Sequence, residues 1–483
     1  MATSKAKTSK AKTSKAKTSK AKTSTAKTSM AKTGAAKTQS KPAAAKSRAS
    51  TSPRAKTAGS KAPKGKAVAA KSSTAKSSKA KSSKAKSSTA RSSTARSSTA
   101  RSSKAKSSTA RLSIAKRSAA KSASPKSAAA AKARAPKEKR KGLLQRLDEG
   151  AVICAEGYLF EFERRGYLQA GAFVPEVVLE HPDLVEGLHR DFVHAGSDVV
   201  EAFTYYAHRE KLKIVGREKD LERINRQALR IAKKVARSTG TLLAGNICNS
   251  NIYDPADPKS HKAVRRMFDE QIGWAVAAGV DFIIGETFSY AAEAELAARA
   301  IKETGLPAVV TLAVHRADAS REGLPLAEAA KRIEAAGADV VGFNCIRGPW
   351  TMLPLLKEVR AAVKCHMAAL PVPYRTTPGE PTFQSLTDPH WPDLPGGRPF
   401  PTSLDPFVCN RHEIGKFARQ AYALDVHYLG VCCGAGPHHI RGMAEALGRQ
   451  PPASRYSPDM SKHAFFGTDK LLKEHNRAFS GEL

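Results

Sequence analysis

The stretch "VHYLGVCCG" (426–434) passes from a short apolar run into two adjacent cysteines, Cys432 and Cys433, and then a glycine. An apolar run of this length, without polar alternation, suits a strand covered on both faces. Adjacent cysteines can scarcely bridge each other without straining the peptide between them, so a routine disulfide does not explain the pair. Seven runs of the same kind precede it: "AVICAEG" (151–157), "SDVVEAFTY" (197–205), "TLLAGNIC" (241–248), "VDFIIGETF" (280–288), "PAVVTLAV" (307–314), "ADVVGFNC" (338–345) and "CHMAALPV" (365–372). Helical patterns separate most of them. In 218–237, Leu221, Ile224, Ala228, Ile231 and Val235 fall at three- and four-residue steps along one face. The stretch "AEAAKRIEAAGA" closes its periodic part on a glycine, as helix C-termini do. Eight alternations of strand and helix predict an α/β fold, a closed (β/α)8 TIM barrel. A doubly wound open sheet is the alternative reading of the same periodicity.

Charge divides the chain. Residues 1–141 hold 41 of the 82 Lys and Arg and a single acid, Glu138, a net of +40 within a total of +39. The remainder is therefore close to neutral, at −1. The basic segment repeats every five residues, first as "SKAKT" and later as "SSTAK", "SSKAK" and "SSTAR", with no aromatic residue and no cysteine. Having so little to bury, it is predicted to be disordered, and like-charge repulsion extends it. Its composition resembles the lysine-rich tails of linker-histone-like proteins. Such a tail binds nucleic acid or another polyanion without reading sequence, by releasing counterions from phosphates. A solubilising extension or a targeting segment are the other readings. The apolar core of a secretory signal is missing from the tail, and no uninterrupted apolar run of about 18 residues occurs, so no membrane span is expected. The expected location is cytoplasmic, with the tail a tether to the nucleoid.

In a TIM barrel the chemistry sits where strands end. Cys345 closes the sixth run, Cys432 and Cys433 the eighth, and Glu286 lies near the end of the fourth. Three thiols from two strands then converge on one mouth of the barrel, which in the absence of an oxidising context reads as a metal site. Zinc suits soft thiolates, and three protein ligands leave a fourth position for a substrate; if that substrate is a thiol, zinc stabilises its thiolate at neutral pH. The competing reading is three buried apolar cysteines, the reading preferred here for Cys154, Cys248, Cys365 and Cys409, which have no partner at metal-ligand spacing.

"GFNC" followed by "GVCCG" resembles the homocysteine S-methyltransferase family, whose members bind zinc through these three cysteines. Within that family, "FERRGYLQAGAFVPEVVLEHPDLVEGLHRDFVHAGSDVVEAFTYYAHREKL" and "CCGAGPHHIRGMAEAL" most resemble the betaine-homocysteine branch, over about 148–454. The resemblance implies methyl transfer from a donor to homocysteine sulfur, forming methionine, by direct displacement at a methyl on a positively charged nitrogen or sulfur. It gives Cys345, Cys432 and Cys433 to zinc, and Glu286, as the catalytic and substrate-binding carboxylate, to the homocysteine amino group. Alternatively, Glu286 pairs with an arginine inside the barrel. A tryptophan and a tyrosine flank the donor in the betaine branch. Phe173 and Tyr206 stand there in this chain, and aromatic faces attract a quaternary ammonium by cation–π attraction.

The first strand departs from the family. Where the family reads Asp-Gly-Gly this chain reads Ala155, Glu156, Gly157, so the carboxylate that helps hold homocysteine is absent from its usual place. Glu156 and Gly157 remain candidates for substrate binding, although alternate strand positions face opposite ways and a strand would aim Glu156 away from the position of the family's aspartate. Residues 371–411, rich in proline, are expected to be a long loop over the barrel mouth, and His438 and His439 to serve a helix end. The expected layout is a tail over 1–141, a homocysteine-binding barrel over 142–454 and an extension over 455–483, with an oligomer left open. Two other functions fit the same residues: a homocysteine methyltransferase using S-methylmethionine or a methylated folate, and a nucleic-acid-associated protein with a degenerate barrel.

Overall fold

The computed structural model describes residues 140–483. The repeats of the basic tail therefore lie outside the described residues. Of segment 1–141 only the last two are described: Arg140 pairs with Asp281, and Lys141 pairs with Glu149 at 2.7 Å.

Each of the eight apolar runs forms one parallel strand, and the strands close in chain order into a barrel. They are β1 (Val152–Ala155), β2 (Val199–Glu201), β3 (Leu242–Cys248), β4 (Phe282–Phe288), β5 (Ala308–Leu312), β6 (Val340–Asn344), β7 (His366–Leu370) and β8 (Tyr428–Val431). Closure of β1 onto β8, in the register Cys154 to Gly430, excludes the open sheet. Parallel neighbours require crossovers, and the helices between strands supply them. The helix Leu221–Thr239 buries Leu221, Ile224, Ala228, Ile231 and Val235, the face expected from their spacing. Among the described residues no helix is long and apolar enough to cross a membrane.

Strand parity sorts the core into two clusters. Val152, Cys154, Val199, Leu242, Ala244, Phe282, Ile284, Val309, Val340, Ala368, Leu370 and Tyr428 pack together with Leu143 and Leu147 of the short helix before β1. The alternate residues, Ile153 and Ala155 among them, pack with the helices. Because side chains alternate along a strand, the inward positions next along toward the C-terminal ends are Glu156, Glu201, Asn246, Glu286, Thr311, Asn344 and Cys432. The lower barrel is apolar, and its upper layer is polar.

Candidate active site

The three cysteines meet because β6 and β8 both pair with β7. Past the end of β6 the amide of Cys345 donates to the carbonyl of Leu370 at 2.9 Å; past the end of β8 the amide of Cys432 donates to Pro371 at 2.9 Å. Two consecutive carbonyls thus set both cysteine loops. Gly434 completes the second loop at φ +92°, where a Cβ would lie 2.1 Å from the buried Tyr374 hydroxyl. Arg164 locks this arrangement by donating to the Gly434 carbonyl at 3.3 Å and to the Tyr374 hydroxyl at 3.0 Å.

The Sγ atoms of Cys345, Cys432 and Cys433 lie within 4.8 Å of one another, with 3.9 Å between Cys432 and Cys433. Tetrahedral zinc, with Zn–S near 2.3 Å, separates its sulfurs by about 3.8 Å. The donor set therefore fits zinc. Hydrogen bonds from Cys432 and Cys433 hold the Cys345 thiol well below its ordinary value, while the same contacts with Cys345 push those two thiols up.

Cys345 and Cys433 form part of the common wall of two chambers. The inner one, of about 20 Å³, is lined by Glu156, Glu201, Glu286 and Tyr158, with Cys432 also in its wall. Its volume is that of a single water or an ammonium head. Glu286 accepts from Asn246 Nδ2 and Asn344 Nδ2, each at 2.6 Å, and from the Thr287 hydroxyl at 3.2 Å. Among the described residues it forms no ion pair with an arginine. Burial raises its carboxyl to about 7 against the pull of these donors. Glu201 shares Asn246 Nδ2 through one oxygen, and its other oxygen has no partner among the described residues.

Glu156 is the largest departure from expectation. The first strand ends at Ala155, whose side chain packs outward among the helices, so the next residue points inward. Glu156 is 7% exposed, neither carboxylate oxygen has a hydrogen-bond partner among the described residues, and one lies within 4.8 Å of both Glu286 and Cys432. The alternation that argued against Glu156 is what carries it into the chamber. Burial, then Glu286 and Glu201, push its carboxyl well above the usual range. Gly157 lines neither chamber; a Cβ there would stand 2.3 Å from the Ala435 carbonyl, so its glycine serves the close approach of the β1 and β8 loops. Cys154 also lies beside Glu156 and Glu201, and burial pushes its thiol up, keeping it uncharged.

The outer chamber is a cavity of 370 Å³ open to the barrel mouth. Phe173, Tyr206, Phe160 and Tyr205 line it, and the 371–411 loop contributes Phe383 and Phe400, so that loop does lie over the mouth. Tyr206 follows β2; its amide donates to Cys248 Sγ at 3.3 Å, and Lys211 Nζ, outside the cavity wall, sits 4.0 Å from its ring centroid. Seven non-glycine residues among those described have left-handed backbones. Six of them, Phe173, Tyr206, Asn251, Thr287, Cys345 and Ile346, line this chamber. Such conformations cost about 1–3 kcal/mol each and persist only where surrounding contacts impose them, typically at functional sites. His439 serves a helix end as expected, accepting from the Gly436 amide at 3.1 Å and contacting the Cys409 carbonyl at 2.8 Å.

Sequence reasoning missed Glu201, Asn246 and Asn344. All three follow apolar inward positions by two or four residues on their strands, so the period of two could have found them. Phe383 and Phe400, in a loop without periodicity, carried no such signal.

Comparison with known proteins bears on the family of the chain. Residues 157–447 match the family model described as homocysteine S-methyltransferase. A betaine–homocysteine S-methyltransferase of Xenopus tropicalis is 36% identical over 344 residues, covering 69% of this chain and 81% of that protein. An S-methylmethionine–homocysteine S-methyltransferase of Rattus norvegicus is 35% identical over 343 residues, covering 68% and 87%. Among solved structures, the metallated homocysteine methyltransferase MmuM of Escherichia coli aligns with a TM-score of 0.48 at 18% identity, over 62% of this chain and 97% of that one. With its family model matched over most of the barrel and relatives above one-third identity, this chain belongs to the homocysteine S-methyltransferase family.

Proposed function

We propose that this protein moves a methyl group from a small onium donor of the betaine type to the sulfur of homocysteine, with zinc held by Cys345, Cys432 and Cys433. The observation that carries this reading is the position of the cysteines, between a chamber of carboxylates and a chamber of aromatic rings. When bound, zinc supplies the cationic centre that keeps a substrate sulfur a thiolate at neutral pH. The inner chamber takes the homocysteine ammonium. Three carboxylates with no lysine or arginine among them are an acceptor set in need of a cation, and unpaired buried carboxylates are costly until one arrives. Glu286 is held in place by Asn246 and Asn344, while Glu156 and Glu201 offer free oxygens.

On the other side Phe173 and Tyr206 face the cationic methyl donor. Cation–π attraction holds the onium while displacing water from it. Since the leaving amine or sulfide is neutral, no side chain has to deliver a proton; the residues orient two substrates in line across the cysteines. Relatives named for betaine and for S-methylmethionine stand at nearly equal identity, so the donor rests on the chamber itself. Purified protein should carry about one zinc per chain and form methionine from betaine, and Cys345→Ala should remove both zinc and activity. Full activity in a zinc-free preparation would overturn the metal; methionine from S-methylmethionine alone would overturn the betaine-type donor.

The basic segment 1–141 is proposed as a separate polyanion-binding appendage, on its charge of +40 against −1 for the rest. The full chain should bind duplex nucleic acid of any sequence, more weakly as salt rises. A chain starting at Lys141 should not bind, while keeping methyl transfer. Salt-dependent binding retained by the shortened chain would contradict this division.

A further inference from the structure

The outer chamber contains one feature that an onium alone does not require. Its wall also includes Arg321, in the loop that follows β5. The Arg321 amide donates to the Ser289 carbonyl at 2.8 Å, and its guanidinium lies over the Tyr290 ring, 5.2 Å from the centroid. The loop itself is clamped to the cysteine loop by the buried Arg347, which donates to the His315 carbonyl at 3.1 Å and to Asp318 at 2.7 Å. Arg321 is therefore placed by its backbone, by its neighbouring ring and by its loop.

Nothing neutralises it. Among the described residues its guanidinium has neither an ion pair nor a hydrogen bond. Glu293, in the cavity wall, accepts from the Ser250 amide at 2.8 Å and from its hydroxyl, and the neighbouring Glu322 accepts from the Ala292 amide at 3.1 Å through one oxygen; neither pairs with Arg321. A fixed guanidinium with free N–H edges matches a carboxylate, which it can bind with two parallel hydrogen bonds. A carboxylate also needs such a partner here, because three thiolates around a divalent cation leave a net negative charge on the shared wall.

We infer that Arg321 is a donor-specificity residue, binding the carboxylate of the methyl donor while the onium lies against Phe173 and Tyr206. This rests on the methyltransferase reading and adds to it a residue that selects donors bearing a carboxylate. A cavity of 370 Å³ lined by all three residues has room for such a molecule.

The test compares betaine with tetramethylammonium, which carries the same onium without the carboxylate. Binding is measured by calorimetry on the zinc-loaded full chain, and methyl transfer from betaine is followed in parallel. Betaine should bind the parent protein about 10- to 100-fold more tightly than tetramethylammonium, the range of a hydrogen-bonded charge. Arg321→Gln should erase that difference, raise the KM for betaine by a similar factor and leave the KM for homocysteine and the affinity for tetramethylammonium unchanged. Arg321→Lys should recover part of the betaine affinity. Equal binding of the two ligands by the parent protein, or a rise confined to the homocysteine KM in Arg321→Gln, overturns the inference. Calorimetry reads the preference without turnover, so a protein that prefers betaine but forms no methionine counts against the methyltransferase reading and not against Arg321.

Discussion

The two chambers that meet at Cys345 and Cys433 are built by different means. Every carboxylate of the inner one lies on a strand or one residue past its end, and the barrel register alone aims Glu156, Glu201 and Glu286 at a common centre. The outer one is assembled mostly from loops, and six of its residues, five in loops and Thr287 near the end of β4, hold left-handed backbones that only their surroundings enforce. Regular structure places few groups, but places them rigidly. Loops place many and need clamps such as Arg347 and the contact from the Tyr206 amide to Cys248. The inner chamber accordingly suits a substrate common to a family, and the outer one a partner that can vary.

The harshest test removes the wall between them. Cys433→Ala should lower zinc content and cut methyl transfer by about 10³-fold or more, because both chambers lose their shared element. Activity within about tenfold of the parent would show that the chambers work without the cysteine cluster.

Next comes the separation of substrates. On the proposed pairing of Glu286 with the substrate ammonium, Glu286→Gln removes a buried charge, an effect of about 3–5 kcal/mol in comparable pairs. The kcat/KM for homocysteine should fall about 10²–10⁴-fold while the donor KM stays within about twofold. Equal losses on both substrates would erase the distinction between the chambers.

This contrast also explains what could be read beforehand. Eight apolar runs made the barrel legible, because a strand buried on both faces has a composition of its own. The cysteines were legible because strand ends are the working positions of this fold, and the same logic exposed Glu286. Glu156 stands as a candidate in the sequence against the parity measured from the family's aspartate; the barrel sets parity by Cys154, which faces inward, and this brings Glu156 into the inner chamber. Glu201 was overlooked inside "SDVVEAFTY" although it sits two residues beyond the inward Val199. Arg321, Phe383 and Phe400 lie in loops, whose course is set by tertiary contacts such as the clamp from Arg347, and no local pattern announces them.

The chambers should also differ in the sign of their pH dependence. Glu286 titrates at about 7 in the fold and has an ordinary value of 4.5, so its share of stability is complete below about 4.5 and is lost as pH rises through 7. His208, packed against Tyr206 and depressed by burial to about 4 from 6.5, behaves oppositely: its share is present above 6.5 and lost as pH falls through 4. Each shift corresponds to roughly 3 kcal/mol. The two contributions offset each other between pH 4.5 and 6.5, so urea midpoints of the substrate-free protein should be level there and decline above about 6.5 and below about 4.5. Glu286→Gln should make the alkaline limb shallower without abolishing it, since Glu156 and Glu201 are raised as well, and His208→Gln should make the acid limb shallower; a mutation that acts on the opposite limb would break the assignment.

The smallest effect belongs to the loop chamber and tests whether its rings hold the onium. Phe173 stands where the betaine branch carries tryptophan, and an indole face attracts a cation more strongly than a phenyl face. The backbone at φ +53° is no obstacle to Phe173→Trp, because both side chains are alike at Cβ and the cavity beyond is 370 Å³. A gain of about 1 kcal/mol should lower the donor KM about fivefold and leave homocysteine untouched. Tyr206 gives a second reading of the same quantity. Lys211 sits 4.0 Å from its ring centroid and draws on the electron-rich face that a donor would use. Lys211→Met should free that ring and lower the donor KM by a smaller factor, whereas Tyr206→Ala should raise it. If all three substitutions shift the KM for homocysteine as much as that for the donor, the rings are packing for the cysteine loops and the onium is held elsewhere.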